Sequence, residues 1–198
     1  MRNTLLAKLK TQAKTLGTVP DSALNEWIPK LDDAFKGPIY FKRGDILIQQ
    51  DENSQHLFYL LKGCVIESRI DGDKNMTLSK VHSSGDFIFS LQDFTTGLLS
   101  QTIFTCKTAV SLLKLDQKIL RQFQKMKGFD ILFFIIQQSI LGSDRDYTFR
   151  LQSMSPADHY RWLKEHSSFI TENLTRDQMA AYLGISRATF YRILQKRI

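Results

Sequence analysis

Basic and hydroxyl side chains are concentrated in the C-terminal segment LTRDQMAAYLGISRATFYRILQKRI. No acidic residue follows Asp177, whereas Arg187, Arg192, Lys196 and Arg197 are all basic. Arginine can donate two parallel hydrogen bonds to the edge of guanine, and basic or hydroxyl groups bind phosphate oxygens. These side chains therefore predict binding to nucleic acid.

The spacing of capping and turn residues predicts a helix-turn-helix in this segment. Thr175 and Gln178 have the spacing of a capping box, which opens a helix. Leu183-Gly184 predicts a tight turn, because glycine adopts a positive φ without strain. Ser186 then caps a second helix that runs towards the end of the sequence. A second helix in this setting fits the major groove of DNA.

The side of the second helix that lies away from Phe190 and Ile193 carries Arg187, Ala188, Tyr191, Arg192 and Gln195. The arginines on this side are predicted to read base edges. Groups around them are predicted to bind phosphates, which positions the helix without reading sequence. These phosphate-binding residues are Thr175, Arg176, Ser186, Thr189 and Lys196. The alternative is an ordinary helical hairpin whose basic face is only solvated.

The segment from about residue 37 to 115 has the pattern of a small antiparallel β-structure. Short apolar runs alternate with turn residues roughly every 8–12 positions, and IDGDKN before Met76 predicts a hairpin turn. This pattern predicts a small antiparallel sandwich or barrel, and with the flanking helices an α+β chain. Residues 1–35 predict two helices, one with Leu5, Leu9 and Leu16 on its apolar side and a second through Trp27 and Leu31.

A long helix is predicted over Phe129–Met154, with about 24 residues and a length of ~36 Å. Its apolar residues recur at spacings of three and four and form a seam that predicts dimerisation. The seam residues are Phe133, Ile136, Ile140, Tyr147 and Leu151. The alternative is a helix that packs wholly on its own barrel. Ser155 and Pro156 then predict a break and the start of another helix, where a hinge between domains would fit.

Three stretches together resemble the Crp/Fnr family of bacterial transcription regulators: FKRGDILIQQDENSQHLFYLLKG, GDFI and LTRDQMAAYLGISRATFYR. The resemblance implies a jelly-roll, also called a double-stranded β-helix, that forms a sensor domain of the cyclic-nucleotide-binding type with N-terminal helices at residues 1–126. It also implies a dimerisation helix at 127–154 and a helix-turn-helix DNA-binding domain at 155–198.

The same resemblance implies base contacts from Arg187, from the residue after it and from Arg192. The family has a glutamate at the middle position, where this sequence has Ala188, so we expect a different base preference there. The sequence ends six residues after Arg192, so we expect no C-terminal β-wing of the kind the family adds.

The family's anchors for a cyclic nucleotide are absent. A Gly-Glu pair and an Arg-Ser or Arg-Thr pair would hold the ribose and the cyclic phosphate, but a gapless comparison puts Phe89-Ser90 and Ser100-Gln101 at those positions. A buried phosphate without a cationic partner is costly. We therefore predict that this effector pocket does not bind cyclic AMP. Its hydroxyl and amide groups would suit a neutral ligand, or would serve only as strand and turn residues.

The composition favours a globular protein with an anionic partner, since the 198 residues are 42% hydrophobic and carry a net charge of +7. Two isolated cysteines predict neither an iron–sulfur cluster nor a cysteine zinc site. No cofactor is predicted, but a haem with a histidine axial ligand stays open. The histidines that could supply it are His56, His82, His159 and His166.

We expect a cytoplasmic homodimer that binds a pseudo-palindromic site in double-stranded DNA, with RNA polymerase as a candidate partner. Neither an export signal nor an apolar run of the ~20 residues that a membrane helix needs is predicted. Two alternatives remain. One is a cupin-like enzyme, which would need several histidines and a carboxylate around a metal. The other is an interaction module that binds no DNA. We predict a regulator and not an enzyme, with an effector that the sequence does not identify.

Overall fold

The computed structural model describes residues 7, 11, 21–70, 76–90, 97–126 and 129–195. Strands dominate the first part of the chain and helices the last part. In chain order the elements are α1 (Asp21–Ala34), β1 (Lys36–Phe41), β2 (Ile46–Ile48), β3 (His56–Lys62), β4 (Val65–Ile70), β5 (Met76–His82), β6 (Phe87–Ile88), β7 (Ile103–Cys106), β8 (Val110–Asp116), α2 (Gln117–Phe123), α3 (Phe129–Ser153), α4 (Pro156–His166), α5 (Ser168–Asn173), α6 (Arg176–Tyr182) and α7 (Arg187–Gln195).

The strands form two four-stranded antiparallel sheets, ordered β1-β8-β3-β6 and β2-β7-β4-β5. Neighbouring strands are mostly distant in sequence, as expected for a jelly-roll. The predicted α+β class and antiparallel roll are confirmed. The predicted hairpin is present as the pair β4–β5, with Ile70 opposite Met76. Its turn, at 71–75, lies outside the described residues.

Successive side chains of a strand lie on opposite faces of its sheet and pack in two different cores. In β3, Phe58 and Leu60 point into the interior between the two sheets, where they meet Phe104 of β7. Leu57 and Tyr59 point outwards and pack against helices. Successive residues of a strand face opposite sides of the sheet. The nearly continuous apolar run HLFYLL therefore gives a strand that is buried on both faces.

Helices α1 and α2 and the first half of α3 cover the outer face of the β1-β8-β3-β6 sheet. Trp27 and Leu31 of α1 are fully buried there together with Phe129 and Ile136 of α3. The rings of Trp27 and Phe129 meet edge-on, with their centroids 6.0 Å apart. The predicted helix through Trp27 and Leu31 is confirmed. The helix predicted before it lies outside the described residues, apart from residues 7 and 11.

Helix α3 has 25 residues and nearly the predicted bounds. Among its described side chains, Phe134, Leu141 and Phe149 are large, apolar and exposed on one side of the helix, and Phe149 is 66% exposed. These residues are seven and eight positions apart, so they lie along one face of the helix. We call them the α3 stripe.

The predicted dimer seam lies on a different face of α3 and needs correction. Ile136 is 1% exposed and packs within its own chain, so the prediction is wrong for this residue. Phe133 packs beside it, and Tyr147 packs on the C-terminal helices. Leu151 is exposed, and the side chain of Ile140 is not among those described. Apolar residues at helical spacing show that a face is covered, but not whether its own chain or a second copy covers it.

The local signals at the C-terminal helices are confirmed. Ser155 caps α4, and Pro156 is the first residue of that helix. Thr175 and Gln178 form the reciprocal capping box at the start of α6. Gly184 has φ 67° in the turn between α6 and α7.

Helices α4 to α7 pack on the outer face of the other sheet. Side chains from β4, β5 and the preceding turn share one core with the helices and with the second half of α3. The buried members of this core are Cys64, Ile66, Leu78, Val81, Leu163, Leu174, Met179, Ala180, Tyr182, Leu183 and Phe190. The roll therefore carries helices on both outer faces, and α3 contacts both helical layers.

Candidate nucleic-acid interface

Helix α7 packs one side against the neighbouring helices and exposes the other side to solvent. Phe190 is 2% exposed and packs edge-on against Tyr160 of α4, with the ring centroids 5.2 Å apart. Arg187, Ala188 and Arg192 are all exposed. The structure thus places the three predicted base-reading residues together on one accessible face of α7.

Two of these side chains are held by neighbours. The Arg187 Nε lies 3.1 Å from Asp177 Oδ1, an ion pair between α7 and the first turn of α6. Arg187 is still 73% exposed, and its two terminal nitrogens stay available for a bidentate contact. Arg192 Nη2 donates to Thr189 Oγ1 at 3.2 Å. These contacts align both arginines along the exposed face.

The residues predicted to bind phosphate surround this face. The Ser186 Oγ accepts from the Thr189 amide at 3.2 Å, and the two hydroxyls lie 2.9 Å apart. The guanidinium of Arg176 lies over the Tyr191 ring, 5.6 Å from its centroid. The Thr175 hydroxyl is part of the capping box. Lys196 lies outside the described residues.

Two hydrogen bonds join the ends of helix α6 to other parts of the chain, and the sequence did not predict them. We call them the two ties of α6. At its start, Lys107 from the roll donates to the Gln178 Oε1 at 2.6 Å. At its end, the Tyr147 hydroxyl of α3 donates to the carbonyl oxygen of Tyr182 at 2.6 Å. Residues 35 and 71 positions apart are joined by these bonds, so no local pattern could have revealed them.

A buried histidine lies beside the second tie. His159 of α4 is 1% exposed, and its ring lies 6.3 Å from Tyr147 and 6.2 Å from Tyr182. Neither ring nitrogen has a hydrogen-bond partner among the described residues. Burial, and next the charge of Arg150, holds the pKa of His159 below its ordinary value. Burial raises the pKa of Tyr147 to about 12, so its hydroxyl remains a donor at neutral pH.

The residues of the predicted effector pocket do not share one environment. Phe89 packs in the core between the first sheet and helices α1–α3, because it follows Phe87 on the outward side of its strand. The assignment of Phe89 to the effector pocket by the gapless comparison is therefore wrong. Ser100 is buried and its hydroxyl donates to the Thr102 carbonyl oxygen. Ser90 is half-buried and Gln101 is exposed.

The roll interior near the predicted pocket holds a histidine that is already paired. His82 is 4% exposed, its Nε2 lies 3.2 Å from Glu67 Oε2, and its ring packs on Phe104. Within the part of the chain that the structure describes, no three His, Cys, Asp or Glu side chains are grouped as metal ligands would be. The described helices include none long and apolar enough to cross a bilayer.

Both cysteines are free and buried. Burial raises the pKa of Cys64 to about 11 and that of Cys106 to about 12. Neither thiol is therefore activated at neutral pH.

Comparison with known proteins agrees with this architecture. Residues 38–126 match the family model of the cyclic nucleotide-binding domain. The structure of the c-di-GMP-responsive global regulator CLP of Xanthomonas campestris is similar, with a TM-score of 0.65 and 18% identity over 85% of this chain and 89% of that one. A CRP-family transcriptional regulator of Thermus thermophilus has a TM-score of 0.61 and 12% identity over 80% and 83% of the two chains. A CRP/FNR-family regulator of the same organism has a TM-score of 0.56 and 19% identity over 80% and 84%.

No curated protein matches the sequence. At the identities above, the structural likeness establishes a shared fold. The family model spans β2 to β8 and α2 in full, so the roll is assigned by sequence as well as by shape. Residues 38–126 match the cyclic nucleotide-binding domain, and the chain shares the fold of solved structures that include CRP-family and CRP/FNR-family transcriptional regulators.

Proposed function

We propose that this protein is a homodimeric regulator that binds a specific DNA sequence and acts on transcription. The observation that carries the proposal is the exposed face of α7, where Arg187, Ala188 and Arg192 lie together above the buried Phe190. A basic helix face that is anchored by an apolar residue and preceded by a tight turn suits the major groove. The fold shared with transcription regulators supports the same function.

Dimerisation through α3 completes this proposal. The α3 stripe presents Phe134, Leu141 and Phe149 to solvent along one face of a 25-residue helix. Pairing two such helices would remove these side chains from water, at about 25 cal/mol per Å² of apolar surface. A two-fold axis along α3 would place two α7 helices on half-sites about 34 Å apart, which suits a pseudo-palindrome.

Signal transfer would pass through the two ties of α6. The Lys107–Gln178 bond joins α6 to the roll, and the Tyr147–Tyr182 bond joins it to α3. A ligand or partner that moves the roll relative to α3 would therefore reorient α6 and, with it, α7. RNA polymerase is a further proposed partner of the DNA-bound dimer.

We propose that the protein does not use cyclic AMP as its effector. Ser90 and Ser100 stand where the charged anchors of cyclic-nucleotide binders would be, and Ser100 already bonds within its own loop. The similar Xanthomonas protein responds to c-di-GMP, so that ligand belongs in the first binding screen beside cyclic AMP and haem.

Selection of bound sequences from a random duplex library tests the function directly. We expect one pseudo-palindromic site to be enriched, with binding that weakens steeply as salt rises. Arg187→Ala should lose about 1–3 kcal/mol at that site, or roughly 5–150-fold in affinity, and should relax the preference at one base pair. Arg161→Ala is the matched control, because Arg161 is an exposed arginine of α4 that also pairs with an aspartate, Asp158. Enrichment of no sequence would refute the proposal and favour an interaction module without DNA.

A further inference from the structure

A cavity of about 490 Å³ opens between the roll and the C-terminal helices, outside the roll interior. One wall is formed by Arg43 and by Lys107, Thr108 and Ala109 of the roll. The other wall is formed by residues 172–175, which lead from the end of α5 to the cap of α6. The cavity therefore lies where a bound group would touch both parts of the chain.

Two cations face this cavity without a counter-ion. Neither Arg43 nor Lys107 makes an ion pair among the described residues, and Glu172, the carboxylate in the lining, pairs with neither of them. Burial, and next the charge of Arg43, holds the pKa of Lys107 below its ordinary value. The lowered pKa reflects, first, the partial removal of Lys107 from water and, second, the repulsion between two like charges. An anion between them would relieve this repulsion.

The remaining donors also favour an anion. Lys107 uses one of its three N–H groups on Gln178 and keeps two free. Asp177, the acidic residue in the first turn of α6, is turned towards Arg187 and paired there. The guanidinium of Arg43 offers the planar fork that matches phosphate oxygens.

We propose that this cavity binds a phosphate group, held by Arg43 and Lys107. The phosphate could come from the DNA backbone or from a free phosphorylated molecule. The cavity adjoins Thr175, one of the proposed phosphate contacts of the helix-turn-helix, so a DNA phosphate would extend that interface onto the roll; this source rests on the proposed function. A free phosphate would instead clamp the roll to the C-terminal helices and act as an effector outside the roll interior.

The first arm of the test measures DNA binding by the full chain at several salt concentrations. Arg43→Gln and Lys107→Gln should each lower the slope of log K against log salt by about 0.9 if the phosphate is that of DNA. Lys118→Gln removes the same charge from α2, which belongs to the other helical layer, and should leave the slope unchanged.

The second arm uses inorganic phosphate and pyrophosphate, with ionic strength held constant by chloride. Binding to the folded state should raise the Tm of the wild-type chain and of Lys118→Gln. The rise should be lost in Arg43→Gln and in Lys107→Gln. Arg43 makes no side-chain hydrogen bond among the described residues, so its variant tests the site even if Lys107→Gln disturbs the packing of α6.

The outcomes separate the sources. A reduced salt slope without thermal stabilisation supports a DNA phosphate, and stabilisation that depends on both cations supports a free one. The proposal is overturned if Arg43→Gln and Lys107→Gln show the same salt slope and the same rise in Tm with phosphate as Lys118→Gln. If the wild-type chain selects no DNA, the proposed function fails, and the phosphate arm alone then decides on the cavity.

Discussion

The hydrogen bond from Tyr147 to Tyr182 leads to a specific prediction about stability, because a single hydroxyl group joins α3 to the end of α6. Tyr182 is the last residue of α6, and the last carbonyls of a helix have no amide donor within it. The amides of the following turn bond to earlier carbonyls instead. The Tyr147 hydroxyl thus supplies the Tyr182 carbonyl with a donor at 2.6 Å, in a place where Tyr182 is 5% exposed.

Tyr147→Phe removes this donor and keeps the ring, whose centroid lies 4.8 Å from that of Tyr182. The lost hydrogen bond and the buried carbonyl that it leaves unpaired should together lower the free energy of unfolding by about 1–3 kcal/mol. Urea unfolding, followed by circular dichroism, should show a midpoint lower by roughly 0.5–1.5 M at an unchanged m-value of about 2 kcal/mol per M.

Tyr160→Phe is the matched control. Tyr160 packs in the same core, with its ring edge-on to Phe190, and its hydroxyl makes no hydrogen bond among the described residues. Its removal should change stability by less than about 0.5 kcal/mol. Equal losses in the two variants would show that the hydroxyl of Tyr147 does not cap α6, and would remove this tie from the proposed route between α3 and α7.

Three further predictions concern ligand, pH and assembly. Calorimetry with cyclic AMP should show no measurable binding, because Ser90 and Ser100 replace the charged anchors; micromolar affinity would contradict this. The free energy of unfolding should fall as pH drops below about 6.5, because burial and Arg150 lower the pKa of His159 and the unfolded chain takes up the proton. His159→Gln should flatten that slope in urea titrations; an unchanged slope would place the dependence elsewhere. Leu141→Glu, but not Leu99→Glu at another exposed leucine, should shift sedimentation from dimer to monomer, and an intact dimer would exclude the α3 stripe.

The features that the sequence predicted well are those set by neighbouring residues. The Thr175–Gln178 capping box, the Ser155 cap and the positive φ of Gly184 each depend on residues at most three positions apart. The roll was predicted from the same kind of evidence, since alternating apolar runs and turn residues specify short antiparallel strands. Such patterns can therefore be recognised in the sequence without knowledge of any long-range contact.

The wrong or missing predictions concern residues whose surroundings are set by contacts between distant parts of the chain. The apolar spacing of α3 correctly predicted a covered face, but Ile136 is covered by Trp27 and its neighbours within the same chain. Phe89 was assigned to the pocket by a gapless comparison, although the alternation of its strand turns it to the outer core. Arg43 and Lys107 carried no local signal, because their common cavity forms only when the C-terminal helices pack on the roll.

The packing of α6 offers a physical route for the control of DNA binding that we propose, even in a roll without the family's nucleotide anchors. Its first turn bonds to the roll and its last carbonyl bonds to α3, while its middle residues, Met179 and Ala180, are buried against the outer face of β4 and β5. A helix held at three places cannot follow a shift of the roll against α3 without losing one of these contacts. The Tyr147–Tyr182 bond is the one such a shift would break first, since it is a single hydrogen bond to α3 worth about 1 kcal/mol net, whereas the Lys107 bond and the buried middle both hold α6 to the roll. Any ligand that favours one position of the roll by a few kcal/mol would therefore suffice to move α6, and the ligand need not enter the roll interior.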